Sequence, residues 1–178
     1  MALVLDGNGT MTVGNGDITG LVAGALPSTV IGAGAVLQVV SVSNSTSITI
    51  TADFPQNSGI TLAITPTSTS SKILAFASIS SATNSDGSNA NKIGIFGIKN
   101  NTSATTLGMR RVGANLSATG SDWFGETSLI FLDSPNSTST QTYEILAGRL
   151  NSSFNNGVAI NTGYGGVTTT FTLMEIAA

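Results

Sequence analysis

Two neighbouring carboxylates are the residues of this sequence that could carry general acid–base chemistry. The 178 residues include no Cys and no His, which excludes thiol nucleophiles, Ser-His-Asp triads and metal sites made of thiolates or imidazoles. Asp122 and Glu126 lie four positions apart, on one face of any strand that contains both. A glycosidase needs two carboxylates about 5 to 9.5 Å apart in a cleft. We favour a structural interpretation, in which the two acids bind Arg110, Arg111 or backbone amides.

Motifs for metal and phosphate binding are weak in this chain. Asp86 lies in an oxygen-rich stretch, residues 84–89, but the acid spacing of an EF-hand and its final Glu are missing. The Gly-Asn-Gly units at 7–9 and 14–16 are not followed by the Gly-Lys-Ser/Thr sequence of a phosphate loop. We therefore expect no metal and no cofactor.

Four further residues are candidates for a subunit interface or a ligand site. Arg110 and Arg111 are adjacent, so at most one of them can point inward from a strand. A salt bridge across a subunit interface and a solvated strand edge explain this pair equally well. Trp123 is the only Trp and either stacks on a sugar or packs in a core or interface, and we favour packing. Tyr164 is one of the few aromatic residues in the segments 81–91, 100–106 and 151–165, which we expect to be loops at the outer end of the domain.

The charge composition makes several classes of partner improbable. Charged residues form only 8% of the chain and the net charge is −3, against about 25% charged residues in an average protein. A phosphate-binding surface needs clustered Lys and Arg, so we expect no nucleic-acid partner. No apolar run reaches the length of about 18 residues that a membrane span needs, and the start of the chain does not resemble a secretory signal. The lack of Cys fits synthesis in a reducing cytoplasm.

The distribution of apolar and polar residues predicts an almost all-β protein. Ser, Thr, Asn and Gly make up almost half of the chain, and they favour turns, caps and strands over helix interiors. Short alternating runs recur at intervals of about 10 to 15 residues, a spacing typical of a sandwich or jelly roll. Residues 81–91, 100–106 and 151–165 are expected to be loops. Strands are expected near residues 36–42, 47–51, 60–64, 72–79, 92–98, 107–112, 123–132, 142–147 and 166–176.

The first 34 residues differ from the rest of the chain, since they contain no aromatic residue and no Lys or Arg. The repeated Gly-Asn-Gly units can form tight turns between short extended pieces. This segment has too few large apolar side chains for a core of its own. We interpret residues 1–34 as an anchoring arm and residues 35–178 as the β-sandwich domain. The candidate anchoring residues are Leu3, Leu5, Val13, Ile18, Leu21, Val22 and Leu26.

The body resembles a β-sandwich module of structural proteins from tailed bacteriophages, of the capsid decoration or cement type and the head- or tail-fibre type. The resemblance covers about residues 33–178, and the arm is similar to the N-terminal segments that attach such modules to the virion. The motifs that carry it are Gly34 to Val40, Ile64 to Leu74, Phe131 to Pro135 followed by Tyr143, and Thr172 to Ile176.

This resemblance implies a trimeric jelly roll without enzymatic activity, and it supplies no catalytic residues. We expect a virion structural protein at the particle surface, assembled in the cytoplasm of a bacterial host. Its expected partners are two further copies of itself and, through the arm, the major capsid protein or another virion protein. The chain has no shaft repeat and only a short arm, which favours capsid decoration over a fibre.

Three alternatives remain open from the sequence. A head or tail fibre could bind a host-surface glycan. A carbohydrate-binding module would need a groove lined by aromatic residues, of which this chain has few. A hydrolase would depend on Asp122 and Glu126. The apolar arm and the scarcity of surface charge also predict an obligate oligomer.

Overall fold

Alternating runs of apolar and hydroxyl-bearing residues form the strands of this protein. A computed structural model describes residues 32–84, 91–115, 123–151, 157–162 and 167–178, and only the backbone at 82–84, 91–92, 114–115 and 123. Within these residues there are strands, turns and loops but no helix, and thus no helix that could cross a membrane. The strands are β1 Val36–Asn44, β2 Ile48–Ile50, β3 Gln56–Ile64, β4 Lys72–Asn84, β5 Asn91–Asn100, β6 Thr105–Asn115, β7 Trp123–Asp133, β8 Gln141–Arg149, β9 Gly157–Ile160 and β10 Thr169–Ile176.

The strands form two antiparallel sheets. The four-stranded sheet has the order β3-β8-β5-β6. In the six-stranded sheet the long strand β4 is central, because it is paired along both edges. Strand β7 pairs along one edge of β4. Strands β10 and β9 lie end to end along the other edge, where β10 pairs with residues 72–78 and β9 with residues 81–84. Outside them, β1 pairs with β10 and β2 with β9.

The strand pairs are nested in the way that defines a jelly roll. Strand β1 pairs with β10, β3 with β8, β4 with β7, and β5 with β6. Successive pairs alternate between the two sheets, as in a long hairpin that has been rolled up. The predicted all-β antiparallel sandwich is therefore confirmed, and the strand order specifies the jelly-roll connectivity.

The core lies between the two sheets and follows the period of two expected of strands. In β10, for example, Phe171, Leu173 and Glu175 are buried while the residues between them are partly exposed. On β4 the small residues Ala75 and Ala77 are fully buried in this core. The largest fully buried side chains are Tyr143, Phe96, Phe171, Ile73, Ile79, Ile98, Leu129, Ile145, Leu146, Ile160 and Leu173.

Part of the outer face of the four-stranded sheet is covered by the segment that precedes β3. The ring of Phe54 lies against Gly97 and the backbone of Phe54 against Gly148, where an added Cβ would come within 3.2 Å of the ring and 2.5 Å of the backbone nitrogen. Asp53 forms a salt bridge of 2.7 Å with Arg149 at the end of β8. Because of this cover, Leu146 is buried although it points away from the main core.

The structure corrects two of the predicted loops. Strand β4 continues to Asn84 and β5 begins at Asn91, so much of the expected loop 81–91 is strand. Within the expected loop 151–165, Gly157–Ile160 form β9. The first segment consists of small and polar residues, and the second is only four residues long, so neither has a clear strand pattern. Pairing with β7 determines the conformation of the first, and pairing with β2 and β4 that of the second.

The residues just before β1 pair with the end of the chain. Gly34 donates a backbone hydrogen bond to Ala177, and Ala177 donates one to Ala35. Residues Ala33–Ala178 form one compact unit. The predicted arm lies almost entirely outside the described residues, so its anchoring role stays a prediction. The same holds for its candidate residues Leu3, Leu5, Val13, Ile18, Leu21, Val22 and Leu26.

Candidate functional site

The two adjacent arginines lie on opposite faces of β6. Arg110 is on the face that also carries Gly108, and its guanidinium lies 5.6 Å from the centroid of the Phe131 ring on β7. This is a cation–π arrangement that joins the two sheets at the β6–β7 side. Arg111 points to the outer face of the four-stranded sheet, and both side chains are exposed. Among the described residues neither arginine forms a salt bridge.

Several predicted site residues lie outside the described residues. These are Asp122, Asp86 and Tyr164. Trp123 begins β7 and pairs with Thr83, but its side chain is not described. The described residues contain no cluster of three or more acidic groups that could hold a metal ion.

Glu126 lines a shallow depression on the outer face of the six-stranded sheet. The depression forms where β10 and β9 separate along β4, between Ser78 and Ser81. Its volume is about 290 Å³. Phe124 points the same way from β7 and is 52% exposed. An aromatic ring, a carboxylate and hydroxyl groups come together there, and the lining residues are Ser80, Ser81, Phe124, Gly125, Glu126, Thr162 and Val167.

Asp133 joins the two sheets through side-chain hydrogen bonds. Its Oδ2 accepts hydrogen bonds from the Tyr143 hydroxyl at 2.8 Å and from Asn100 Nδ2 at 2.9 Å. Its Oδ1 accepts one from the backbone of Ser134 at 2.8 Å, so it also caps the turn that follows β7. Burial raises the pKa of Tyr143 well above its ordinary value, and the hydrogen bond to Asp133 and its charge add to this. Asp133 thus serves as an internal acceptor for the strands β5 and β8.

Glu175 is fully buried and joins β1, β10 and the loop before β4. Its Oε1 accepts hydrogen bonds of 2.7 Å from both the backbone and the hydroxyl of Thr67, and its Oε2 accepts one from Gln38. Burial acts to raise the pKa of Glu175, but its neighbours Ser71, Gln38 and Thr67 together hold it below its ordinary value. Ser71 helps to lower the pKa of Glu175 although its Oγ forms no hydrogen bond of standard geometry.

Glu144 is a third internal acceptor, on β8. It is buried and accepts hydrogen bonds from the Gly59 backbone at 3.1 Å and from Asn101 Nδ2 at 2.8 Å. Protein donors therefore occupy the oxygens of Asp133, Glu144 and Glu175 alike. These three carboxylates hold loops and strands together, which is a structural use of charge.

An apolar surface covers part of the outer face of the six-stranded sheet. One row across the sheet joins Val39, Met174, Leu74 and Leu132, and the next row continues from Thr172 to Phe76 and Ile130. Ile130 is 58%, Leu132 56% and Val39 54% exposed. We call this surface the outer apolar face and define it by Val39, Leu74, Phe76, Ile130, Leu132 and Met174.

The outer apolar face and Phe124 were not among the residues that the sequence singled out. A signal was present in β7, since Leu129 to Leu132 are four consecutive apolar residues and must load both faces of a strand. The contribution of β1, β4 and β10 depends on how these strands pair, and no local pattern shows it.

No protein-family model matches the chain, and no curated protein sequence matches it. Among solved structures, it aligns with the VP2 subviral particle of infectious bursal disease virus at 12% identity and a TM-score of 0.30, covering 79% of this chain and 38% of that one. The Gx strain of the same virus aligns at 9% identity and a TM-score of 0.33, covering 79% and 40%.

The chain also aligns with part of an enzyme. The arabinose-bound MgGH51 α-L-arabinofuranosidase aligns at 9% identity and a TM-score of 0.27, covering 80% of this chain and 18% of that one. The chain thus spans less than half the length of each of these proteins. At such scores the assignment of the jelly roll rests on strand order and register alone.

Proposed function

We propose that this chain is a non-enzymatic structural protein of a tailed-phage virion, in which it acts as a trimeric capsid decoration or cement protein. The arm at residues 1–34 would anchor it to the particle, and the jelly roll would face outward. The observation that carries the proposal is the outer apolar face, because a broad uncharged sheet surface suits assembly with other proteins.

The positions that carry the phage resemblance also support the proposal. Gln38, Thr67 and Glu175 come from three of the resembling segments and meet in one hydrogen-bonded group. Asp133 and Tyr143 come from another and are joined directly. These residues hold the strands of the sandwich together, which agrees with the structural role that the resemblance implies.

The copy number per particle tests the proposal. Quantitative mass spectrometry of gradient-purified virions is expected to find hundreds of copies, since a decoration protein covers a shell. A few tens of copies at most would contradict decoration and favour a fibre. Failure to detect the chain in purified virions, with the major capsid protein as the internal standard, would contradict the virion role itself.

A receptor-binding fibre is the second candidate, and the depression beside Phe124 favours it. An exposed aromatic ring next to a carboxylate and several hydroxyls can stack on a sugar and hydrogen-bond its hydroxyl groups. This candidate predicts selective binding on a glycan array that is lost in Phe124→Ala and in Glu126→Gln. Met109→Ala, which changes an exposed apolar residue of the other sheet, is the matched control. Absence of selective binding by the unmodified chain would remove this candidate.

The same depression allows a direct test of the hydrolase alternative. Glu126 is the described member of the Asp122–Glu126 pair, and it is exposed on a shallow surface. We expect no turnover of polysaccharides. Turnover that disappears in the Asp122→Ala/Glu126→Ala double variant would contradict the non-enzymatic proposal.

A further inference from the structure

We propose that the outer apolar face is the contact surface between copies of this chain. The inference rests on the proposed function, and it names the surface through which the proposed trimer would form. It follows from the exposure of this face and from the absence of charge on it. It also follows from the cover that the chain itself provides for part of the opposite sheet.

The two sheets differ in how their outer faces are covered. Part of the four-stranded sheet's outer face is covered by the chain's own segment around Phe54, which lies on Gly97 and Gly148. The outer apolar face has no such cover among the described residues, and Ile130 and Leu132 remain more than half exposed. A sheet face that is apolar and uncovered in one chain gains stability when another surface covers it.

The size of the outer apolar face is suited to a specific contact. Val39, Ile130 and Leu132 are more than half exposed, and Leu74, Phe76 and Met174 are partly exposed. The neighbouring Val36 is 54% exposed and extends the face. A typical stable interface buries about 800 Å² on each partner, so the contact would also include residues around the face.

The chemistry of the surface fits a second copy of the same chain. The outward residues next to the apolar rows are hydroxyl-bearing, such as Ser41, Thr172, Ser78 and Ser128. The nearest outward charges, Lys72 and Glu126, lie beyond opposite ends of the face and have opposite signs. Ser41 Oγ and Thr172 Oγ1 already lie within hydrogen-bond distance of each other, at 2.9 Å in the same chain. Copies of the chain can therefore meet on this face without like charges in contact and without leaving these two hydroxyl groups unpaired.

The test is the oligomeric state of the full-length chain and of lysine variants, measured by light scattering coupled to size exclusion. We expect the unmodified chain to have the mass of an oligomer, at least two times the 17.9 kDa of one chain. The Ile130→Lys/Leu132→Lys variant should raise the dissociation constant about a hundredfold or more, because its ammonium groups would be buried without partners. Val39→Lys, on β1 at the far side of the sheet, should have the same effect. Thr61→Lys, at an exposed position on the outer face of the other sheet, is the control and should stay associated.

The outcomes separate this inference from the proposed function. A monomeric unmodified chain would overturn the inference, and so would lysine variants that stay associated while cooperative thermal unfolding shows that they are folded. If the Ile130→Lys/Leu132→Lys variant dissociates but Val39→Lys does not, the inference would also be overturned, since the contact would then lie at the β7 edge. A mass of two copies would support the face and contradict the trimer. The copy number in virions tests the proposed function independently.

Chemical labelling gives a second measurement that does not depend on a lysine variant folding. The natural chain has no Cys, so Leu132→Cys creates a single thiol on the outer apolar face. At concentrations where the chain is associated, this thiol should react with a maleimide several-fold more slowly than the thiol of Thr61→Cys. Thr61 is exposed on the outer face of the other sheet. Equal reaction rates would overturn the inference.

Discussion

At the scale of single residues, this protein uses a few of its scarce charges inside the fold. Asp133, Glu144 and Glu175 each accept hydrogen bonds from neighbouring strands or loops, and Glu144 and Glu175 are buried. A buried charge is tolerated when its oxygens are paired in this way, and removing a donor leaves it uncompensated. The stability of the sandwich should therefore depend on these few side chains.

The pH dependence of stability should show the role of Glu175. Its pKa is lowered in the folded chain, so the stability it contributes is present above its unfolded pKa of about 4.3 and is lost as the pH falls through the folded value. Urea unfolding between pH 7 and pH 3 should show this loss in the natural chain. Glu175→Gln should be less stable at pH 7 and lose less stability on acidification.

The matched control for this experiment is Glu126→Gln, which changes an exposed carboxyl on β7. It should follow the acid dependence of the natural chain. If Glu175→Gln and the natural chain lose stability in parallel below pH 5, the proposed role of the buried carboxylate is wrong.

Tyr143 should contribute stability through its hydroxyl. Tyr143→Phe removes one of the two side-chain donors to Asp133 Oδ2, and a hydrogen bond to a charged group is worth about 1.5 to 3 kcal/mol. Urea unfolding should show a loss of this order. A double-mutant cycle with Asp133→Asn should give a coupling energy clearly above zero.

Alkaline unfolding provides an independent check on Tyr143. Because its pKa is raised in the folded chain, its contribution is fully present below pH 10 and is lost as the pH rises through the folded value. The natural chain should lose stability above about pH 10 more steeply than Tyr143→Phe. An identical slope in both chains would contradict the assignment.

At the scale of elements, the contact between β6 and β7 closes one side of the sandwich. Gly108 lies directly under the ring of Phe131, and a Cβ there would come within 2.3 Å of the ring. Arg110 lies over the same ring. A glycine, an aromatic ring and a cation from two strands thus form one packed group across the two sheets.

Gly108→Ala should therefore destabilise the fold by about 1 to 3 kcal/mol, the usual cost of overpacking. Thermal or urea unfolding measures this. Phe131→Leu in the same chain should recover part of the loss, since the smaller side chain leaves space for the Cβ. Gly59→Ala would be a poor control because Gly59 has a positive φ, whereas Gly32, which has no atom of the described residues within 4 Å, is a suitable one. No difference between Gly108→Ala and Gly32→Ala would contradict the packing described.

At the scale of the whole molecule, the two sheets have different outer surfaces. One is partly covered by the chain's own segment around Phe54, and the other presents the outer apolar face. Among the described residues, all members of the main core lie between residues 50 and 173, within the Ala33–Ala178 unit. The jelly roll therefore contains the packing that a domain needs to fold.

Removal of residues 1–31 is expected to leave the sandwich folded and to abolish attachment to particles. Urea unfolding of the shortened chain should remain cooperative, with a midpoint close to that of the full chain. Co-sedimentation with virions that lack the chain should be lost, while the full chain binds. Attachment by the shortened chain would contradict the anchoring role of the arm, and its failure to fold would contradict the domain division.

The alternation of side chains made much of the fold predictable. In β3, Ile60, Leu62 and Ile64 alternate with polar or small residues, and they face the core as the pattern indicates. β10 behaves in the same way, with Phe171, Leu173 and Glu175 buried and the residues between them partly exposed. β9 was not predicted, because four residues of apolar sequence carry no detectable period and obtain their conformation from β2 and β4.

The amino-acid sequence by itself determined the fold class, because period-two alternation and turn-forming residues are local properties of the chain. It also determined which catalytic chemistry is excluded, through the absence of Cys and His. Only the tertiary structure decided the donors of Glu175, the position of Arg110 over Phe131, and the outer apolar face. Each of these depends on strand order and register, which bring together residues more than 20 positions apart, as from Val39 to Leu132. Such contacts are set by pairing between distant strands, and no local sequence pattern records that pairing.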